Sequence, residues 1–196
     1  KLPWKPVEMQ MIFGDLLQST KKNLKILEIA GSLSSITLSL VKNHDYTLVE
    51  EAYHETTSDY VKLQEYLGKS FIHLEDWYDF TPAADYDIVI VNDLFPNADQ
   101  RLYEFIERYL PVTQELRMTL TYYEDLFFKV SRIESGETLT MRPWGLREIT
   151  TFIEHLSKTY PQWCCDFDRE QLQYTDYKGT LFTNKRNVLH MKIRKS

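Results

Sequence analysis

Glycine is scarce in this chain, with six residues in 196. A nucleotide-type turn normally crowds glycines together, yet the stretch ILEIAGSLSSITLSL at residues 26–40 holds Gly31 alone. Cysteine is scarcer still, limited to the adjacent pair Cys164 and Cys165. Neighbouring cysteines close only a strained ring, so no disulfide within the chain is expected, and a reducing, cytoplasmic setting follows. No histidine pattern stands beside them to suggest zinc, and buried free thiols are the expectation. No metal-ligand motif is found elsewhere. No run approaches the roughly 20 apolar residues of a membrane helix. The opening KLPWKPVEMQMIF lacks the charged segment and long apolar core of a signal peptide, and it begins at Lys1 as a piece of a longer protein would. Positive charge is in deficit, with 23 Lys and Arg against 29 Asp and Glu. That balance argues against a protein that grips nucleic acid broadly, which needs a basic surface to displace counterions. The five basic residues between Lys185 and Ser196 read instead as a solvated strand edge guarded by charge.

What is present is patterned. Hydrophobic content of 43% and charged content of 27% suit a globular chain, expected as one domain over residues 1–196. Aromatic content is 14%, which fits aromatic core layers or a site for a flat ring. After a helical entry over residues 1–20, strand and helix patterns alternate. LKILEIA, YTLVEE, SFIHLED, YDIVIVND and ELRMTLTYYE read as strands. SSITLSLVK and SDYVKLQEYLG read as helices, the second closed by Gly68. NADQRLYEFIERYLP is predicted to be a helix with Asn97 as its N-cap and Gln100 completing the capping box. Residues 127–145 form a hairpin-like insertion, and GLREITTFIEHLSKTYP a helix stopped before Pro161. GTLFTN and NVLHMKIRK are expected to pair antiparallel around NKRN. Alternation of this kind predicts an α/β fold with a mostly parallel sheet and helices on both faces.

Ligands in such sheets gather at the carboxyl ends of the strands. Small residues follow the first strand: Ala30, Gly31, Ser32 and Ser34 can admit a ligand close to the backbone. Gly31 is the position at which a positive φ is expected, and Leu33 should turn into the core. Glu50 ends the second strand, at the separation where a carboxylate accepts ribose hydroxyls in dinucleotide folds. Glu75, Asp76 and Trp77 end the third, and Asn92 and Asp93 the fourth. Each also has a plainer reading, as a helix cap or as turn chemistry. His73, inside the third strand, reads as a structural histidine.

This constellation, over about residues 24–125, resembles the class I methyltransferases that use S-adenosylmethionine. The resemblance implies a three-layer Rossmann-like fold with a seven-stranded sheet and an antiparallel C-terminal strand. It casts Glu28 as the acid before the cofactor loop, and Ala30, Ser32 and Ser34 where the family places glycines, with Gly31 between. It implies that Glu50 binds the ribose, that Asp76 meets the adenine amino group with Trp77 beside the ring, and that Asn92 contacts the cofactor. Asp93 then becomes the candidate base, and Tyr122, with Tyr123, shapes the acceptor pocket. Arg142 and Trp144 could cover the site or simply form a surface loop. The missing loop glycines, and LPVTQEL where a glycine pair usually precedes the fifth strand, mark a divergent member. The implied activity is methyl transfer to oxygen on a small-molecule or sugar-derived acceptor, with surface-polysaccharide biosynthesis as one setting. A catalytically inactive binding or scaffolding module stays open as an alternative. A nicotinamide-dependent oxidoreductase does too, although the loss of glycines weighs more heavily against it.

Overall fold

The computed structural model describes residues 5–18, 23–52, 55–82, 85–96, 98–123, 127–131, 136, 138–167 and 186–196. The main sheet is built from β1 (Lys25–Ile29), β2 (Asp45–Val49), β3 (Ile72–His73), β4 (Tyr86–Phe95), β5 (Thr113–Tyr123), β8 (Trp163–Phe167) and β9 (Arg186–Lys195). Their spatial order is β3-β2-β1-β4-β5-β9-β8. Pairing is parallel from β3 through β5, and β9 runs antiparallel to both β5 and β8. One reversed strand in an otherwise parallel sheet is the expected architecture. A separate antiparallel hairpin joins β6 (Phe128–Ser131) to β7 (Thr138–Met141).

Strand alternation sorts the side chains into two cores. Leu27, Val89 and Val91 face a layer made by α4 (Leu102–Tyr109) and α5 (Leu146–Thr159), with Phe105, Tyr109, Phe152 and Leu156. Ile26, Ile88 and Ile90 face the other layer, made by α1 (Lys5–Gln18), α2 (Ser35–Asn43) and α3 (Thr57–Leu67), with Phe13, Leu40 and Tyr60. A period of two in residues 26–29 and 88–91 therefore serves both faces, which is why those strands read as continuous apolar runs. Burying each such Leu, Ile or Phe contributes about 1.5–3 kcal/mol.

Four sequence expectations change. Helix α4 begins at Leu102 rather than near Asn97, which lies outside the described residues, and Arg101 at its N-cap makes no side-chain capping bond. The carbonyl of Leu94 takes the N–H groups of Ala98 and Asp99, at 2.8 and 3.1 Å, so this segment turns before it can wind. β3 is two residues long. The basic tail is an inner strand: Leu189, Met191 and Ile193 are buried, while Arg194 bonds Glu115 at 2.5 Å on the neighbouring strand. Its outer partner is Trp163–Phe167, a segment too short for its alternation of Trp163, Cys165 and Phe167 to mark it as a strand; GTLFTN lies outside the described residues. Cys164 is exposed and Cys165 half-buried on this strand, both as free thiols.

Candidate functional site

The carboxyl ends of β1, β2 and β4 and the loop after β3 open into one cleft of about 960 Å³. Glu28, Ala30, Gly31, Ser32, Glu50, Asp76, Trp77, Asn92 and Asp93 all line it. Tyr122 does not: it is 3% exposed and packs in the core under α4 and α5. Tyr123, Arg142, Trp144 and His73 are likewise not among the lining residues.

The first wall is the turn after β1. Ala30 carries the positive φ, 56°, and its N–H donates to the Val49 carbonyl at 2.8 Å. Gly31, expected to take that conformation, does not take it. Its smallness has another cause. A Cβ there would stand 2.2 Å from Oε1 of Glu28, whose side chain folds across the glycine. Glu28 is 7% exposed and accepts a 2.7 Å hydrogen bond from the Tyr46 hydroxyl. Burial pushes its carboxyl up to about 7; the Tyr46 bond opposes this and the nearby Glu50 charge adds to it. Leu33 packs towards the apolar core as expected. Ser34 caps α2 in a reciprocal box with Thr37, and the Thr37 hydroxyl donates to the Ser32 carbonyl at 3.0 Å. These bonds hold the loop from Ser32 onward without any further glycine.

The second wall is a knot of four side chains. Asp76 accepts from the Tyr78 N–H at 2.7 Å and from Arg101 Nη2 at 2.8 Å. Arg101 also grips Asp99 through Nε and Nη2, and Asp99 accepts from the Trp77 indole N–H at 2.8 Å. Trp77, the residue cast beside a bound ring, lines the cleft; it is 4% exposed and wedged against Phe95, Phe105 and Tyr109. The knot itself was not legible in the sequence, since nothing in the spacing of Asp76, Asp99 and Arg101 pairs them.

The floor is the end of β4, where the register to β5 shifts between Val91 and Phe95 and Asp93 takes a φ of 58°. Irregularities of this kind re-aim side chains next to functional sites. Two threonines of β5 fix the result. Thr119 Oγ1 donates to Asn92 Oδ1 and accepts from the Asp93 N–H, both at 2.8 Å, and the Thr121 hydroxyl donates to Asp93 Oδ1 at 3.2 Å. Both threonines are 1% exposed, and polar residues two apart in an apolar strand were the signal that could have found them. The remaining side comes from α1, through Glu8, Met9 and Phe13. Buried Arg117 of β5 pins that helix, donating to the Ile12 carbonyl at 2.5 Å and to both oxygens of Asp15 at 2.6 and 2.7 Å. Burial alone would raise the Asp15 carboxyl, but the Arg117 bond and charge outweigh it and hold it below the usual range. Among the described residues, no three His, Cys, Asp or Glu side chains are arranged to hold a metal ion, and no helix is long and apolar enough to cross a membrane.

A sheet in this order, with one reversed strand and a ligand-sized cleft over the ends of its first strands, defines the fold of the S-adenosylmethionine-dependent methyltransferases, and solved structures bear this out. A DhpI–SAM–HEP complex is 14% identical, aligned over 98% of this chain and 88% of its own, with a TM-score of 0.61. The plantazolicin methyltransferase BpumL, in complex with a triazolic desmethylPZN analogue and SAH, is 15% identical over 100% and 86%, with a TM-score of 0.62. The Burkholderia thailandensis 1,6-didemethyltoxoflavin-N1-methyltransferase, with bound 1,6-didemethyltoxoflavin and S-adenosylhomocysteine, is 12% identical over 100% and 80%, with a TM-score of 0.60. At these identities the likeness is one of fold. No protein-family model matches the chain. No curated protein matches it either.

Proposed function

We propose that this protein is an S-adenosylmethionine-dependent methyltransferase acting on a small-molecule or sugar-derived acceptor, with a hydroxyl oxygen as the atom methylated. The observation that carries the reading is the single cleft joining Glu28, the Ala30–Ser32 turn, Glu50, Asp76 and Asn92 at the ends of successive strands. The residues fit the cofactor. A buried acceptor-only carboxylate at Glu50, 3% exposed, suits a pair of ribose hydroxyls. The turn at Ala30 and Gly31 brings backbone rather than long side chains to the cleft, as the methionine portion requires. Asp76, with both oxygens already oriented, suits an exocyclic amine.

When bound, S-adenosylmethionine supplies a methyl group on a positively charged sulfur, already activated for displacement. The protein's share is to align the acceptor and receive its proton. Asp93 is the group assigned to that task, since Thr119 and Thr121 fix both its backbone and its carboxylate. Asp93 would take the proton of the acceptor hydroxyl, whose oxygen would receive the methyl group as the methyl–sulfur bond breaks and the neutral thioether leaves. Asn92, with Oδ1 engaged by Thr119, presents its amide nitrogen as a donor to the cofactor. Tyr122 is left a packing role. The acidic balance of the cleft walls suits a cationic cofactor, and a small acceptor rather than nucleic acid or membrane is the partner proposed.

Calorimetric titration with S-adenosylmethionine, S-adenosylhomocysteine and NADH tests the class. The two adenosyl ligands should bind and NADH should not. Glu50→Gln keeps the shape and removes the charge, so it should weaken S-adenosylhomocysteine about ten- to hundred-fold, corresponding to roughly 1.5–3 kcal/mol for a hydrogen bond to a charged group. An unchanged affinity in a folded variant rules out Glu50 as the ribose ligand.

A further inference from the structure

Arg101 is the one basic side chain among the described residues that line the cleft. It could be read as a counter-charge for an anionic acceptor, as a surface ion pair, or as part of the cofactor site. The first reading fails on its bonds. Nε lies 3.1 Å from both oxygens of Asp99, and Nη2 lies 2.6 Å from Asp99 and 2.8 Å from Asp76, so its charge is already spent on two carboxylates. The second gives little reason for the arrangement, because an ion pair whose arginine is 40% exposed contributes little to stability.

The geometry around Asp76 is more informative. One oxygen is fixed by the Tyr78 N–H and the other by Arg101, so the carboxylate cannot rotate and stays acceptor-only. Each oxygen retains a further lone pair. Asp99 does the same for the wall, taking the Trp77 indole N–H and the Arg101 backbone N–H, at 2.8 Å each, and seating the guanidinium 4.6 Å from the Trp77 ring. The knot thus ties the loop after β3 to the segment before α4, and among its cleft-lining side chains it holds the Asp76 carboxylate in a fixed direction.

We propose that Asp99 and Arg101 are positioning residues that set the purine selectivity of this cleft: they hold Asp76 so that the site takes a 6-aminopurine and rejects a 6-oxopurine. This rests on the cofactor reading above. A 6-amino group donates to the pinned carboxylate. A 6-oxo group turns an acceptor towards it, and Asp76 cannot rotate or offer a donor in response.

The test compares S-adenosyl-L-homocysteine with S-inosyl-L-homocysteine by calorimetry on the full chain. The parent should prefer the adenosyl ligand by about a hundred-fold, the upper range for one buried hydrogen-bond mismatch. Arg101→Met keeps the aliphatic stem over Trp77 and removes the guanidinium. Its preference should fall below about ten-fold, with the adenosyl ligand losing more than the inosyl one. Asp99→Asn, close in shape, should narrow the ratio in the same sense, and a thermal melt confirms that each variant is folded. If both ligands weaken by the same factor in the folded variants, the knot is merely structural and the proposal is overturned. If the parent binds neither ligand, the cofactor reading itself falls, an outcome distinct from a parent that binds tightly while its variants keep full selectivity.

Discussion

Ala30 and Gly31 divide between them what one glycine usually does. Ala30 sits in the left-handed region at φ 56°, where a side chain crowds its own carbonyl, while Gly31 leaves room for Glu28. Ala30→Gly should therefore stabilise the protein by roughly 0.5–1 kcal/mol, the strain relieved less the added backbone freedom of the unfolded chain. A higher urea midpoint with an unchanged slope is the expected observation; a lower midpoint would mean that the Ala30 methyl packs well enough to outweigh the strain. The sequence marked this loop as small but assigned the turn to the wrong residue, because chemistry alone favours glycine at positive φ and the demand of the Glu28 side chain comes from a folded contact. The strand-end acids were legible for a simpler reason. Glu50, Asp76, Asn92 and Asp93 each follow an apolar run, and a parallel sheet carries all such ends to one edge. Arg101 and Asp99 were not, since their contacts to Asp76 and Trp77 cross 22 or more residues.

At the scale of elements, β4 and β5 form the frame that aims the floor of the cleft. The register shift after Val91 frees Asn92 and Asp93 from regular pairing, and Thr119 satisfies both. Thr119→Val preserves the shape but strips the acceptor from the Asp93 N–H and the donor from Asn92. It should cost about 1–3 kcal/mol of stability and weaken binding of S-adenosylhomocysteine as well. Thr150→Val on the exposed face of α5, where the hydroxyl only returns to the Leu146 carbonyl at 2.9 Å, should stay within about 0.5 kcal/mol of the parent in the same denaturation experiment. Equal effects at the two sites would remove the frame from the account. The inner elements were readable because their period matched their burial: β1 and β4 serve two cores, and α5 follows its amphipathic stripe to the stop before Pro161. The outer ones were not. β8 reads WCCDF, a five-residue pattern in which the paired cysteines blur the alternation of Trp163, Cys165 and Phe167, and its pairing with β9 is a long-range choice that makes a charged tail an inner strand.

Across the whole molecule, the cleft places a carboxyl group within the body of the sheet. Glu28 lies on β1, between β2 and β4, bonded to Tyr46 of β2 and close to Glu50 at the end of that strand. Its folded pKa of about 7 lies above the value of 4.5 that it has when unperturbed, burial being the largest cause. The folded state therefore holds this proton more tightly than the unfolded chain does. The stability linked to it is fully present below about pH 4.5 and is lost as pH rises through about 7. Other carboxylates work in the opposite sense: Asp15, Asp99 and Glu115, held low by their arginine partners against the pull of burial, lose stability on acidification. Their contribution falls away below the usual carboxylate range, so it does not vary over the interval in which Glu28 titrates. Glu28→Gln keeps an oxygen for the Tyr46 hydroxyl and cannot ionise. Melting temperatures of parent and variant, taken at about pH 5 and about pH 8, isolate the group. Half-buried His190, its pKa pushed down to about 4 by burial, works in the opposite sense but equally in both proteins, so the variant should gain on the parent as pH rises. If the difference between the two proteins is the same at both pH values, Glu28 does not titrate in this interval and its carboxylate is accommodated in the fold as an ion.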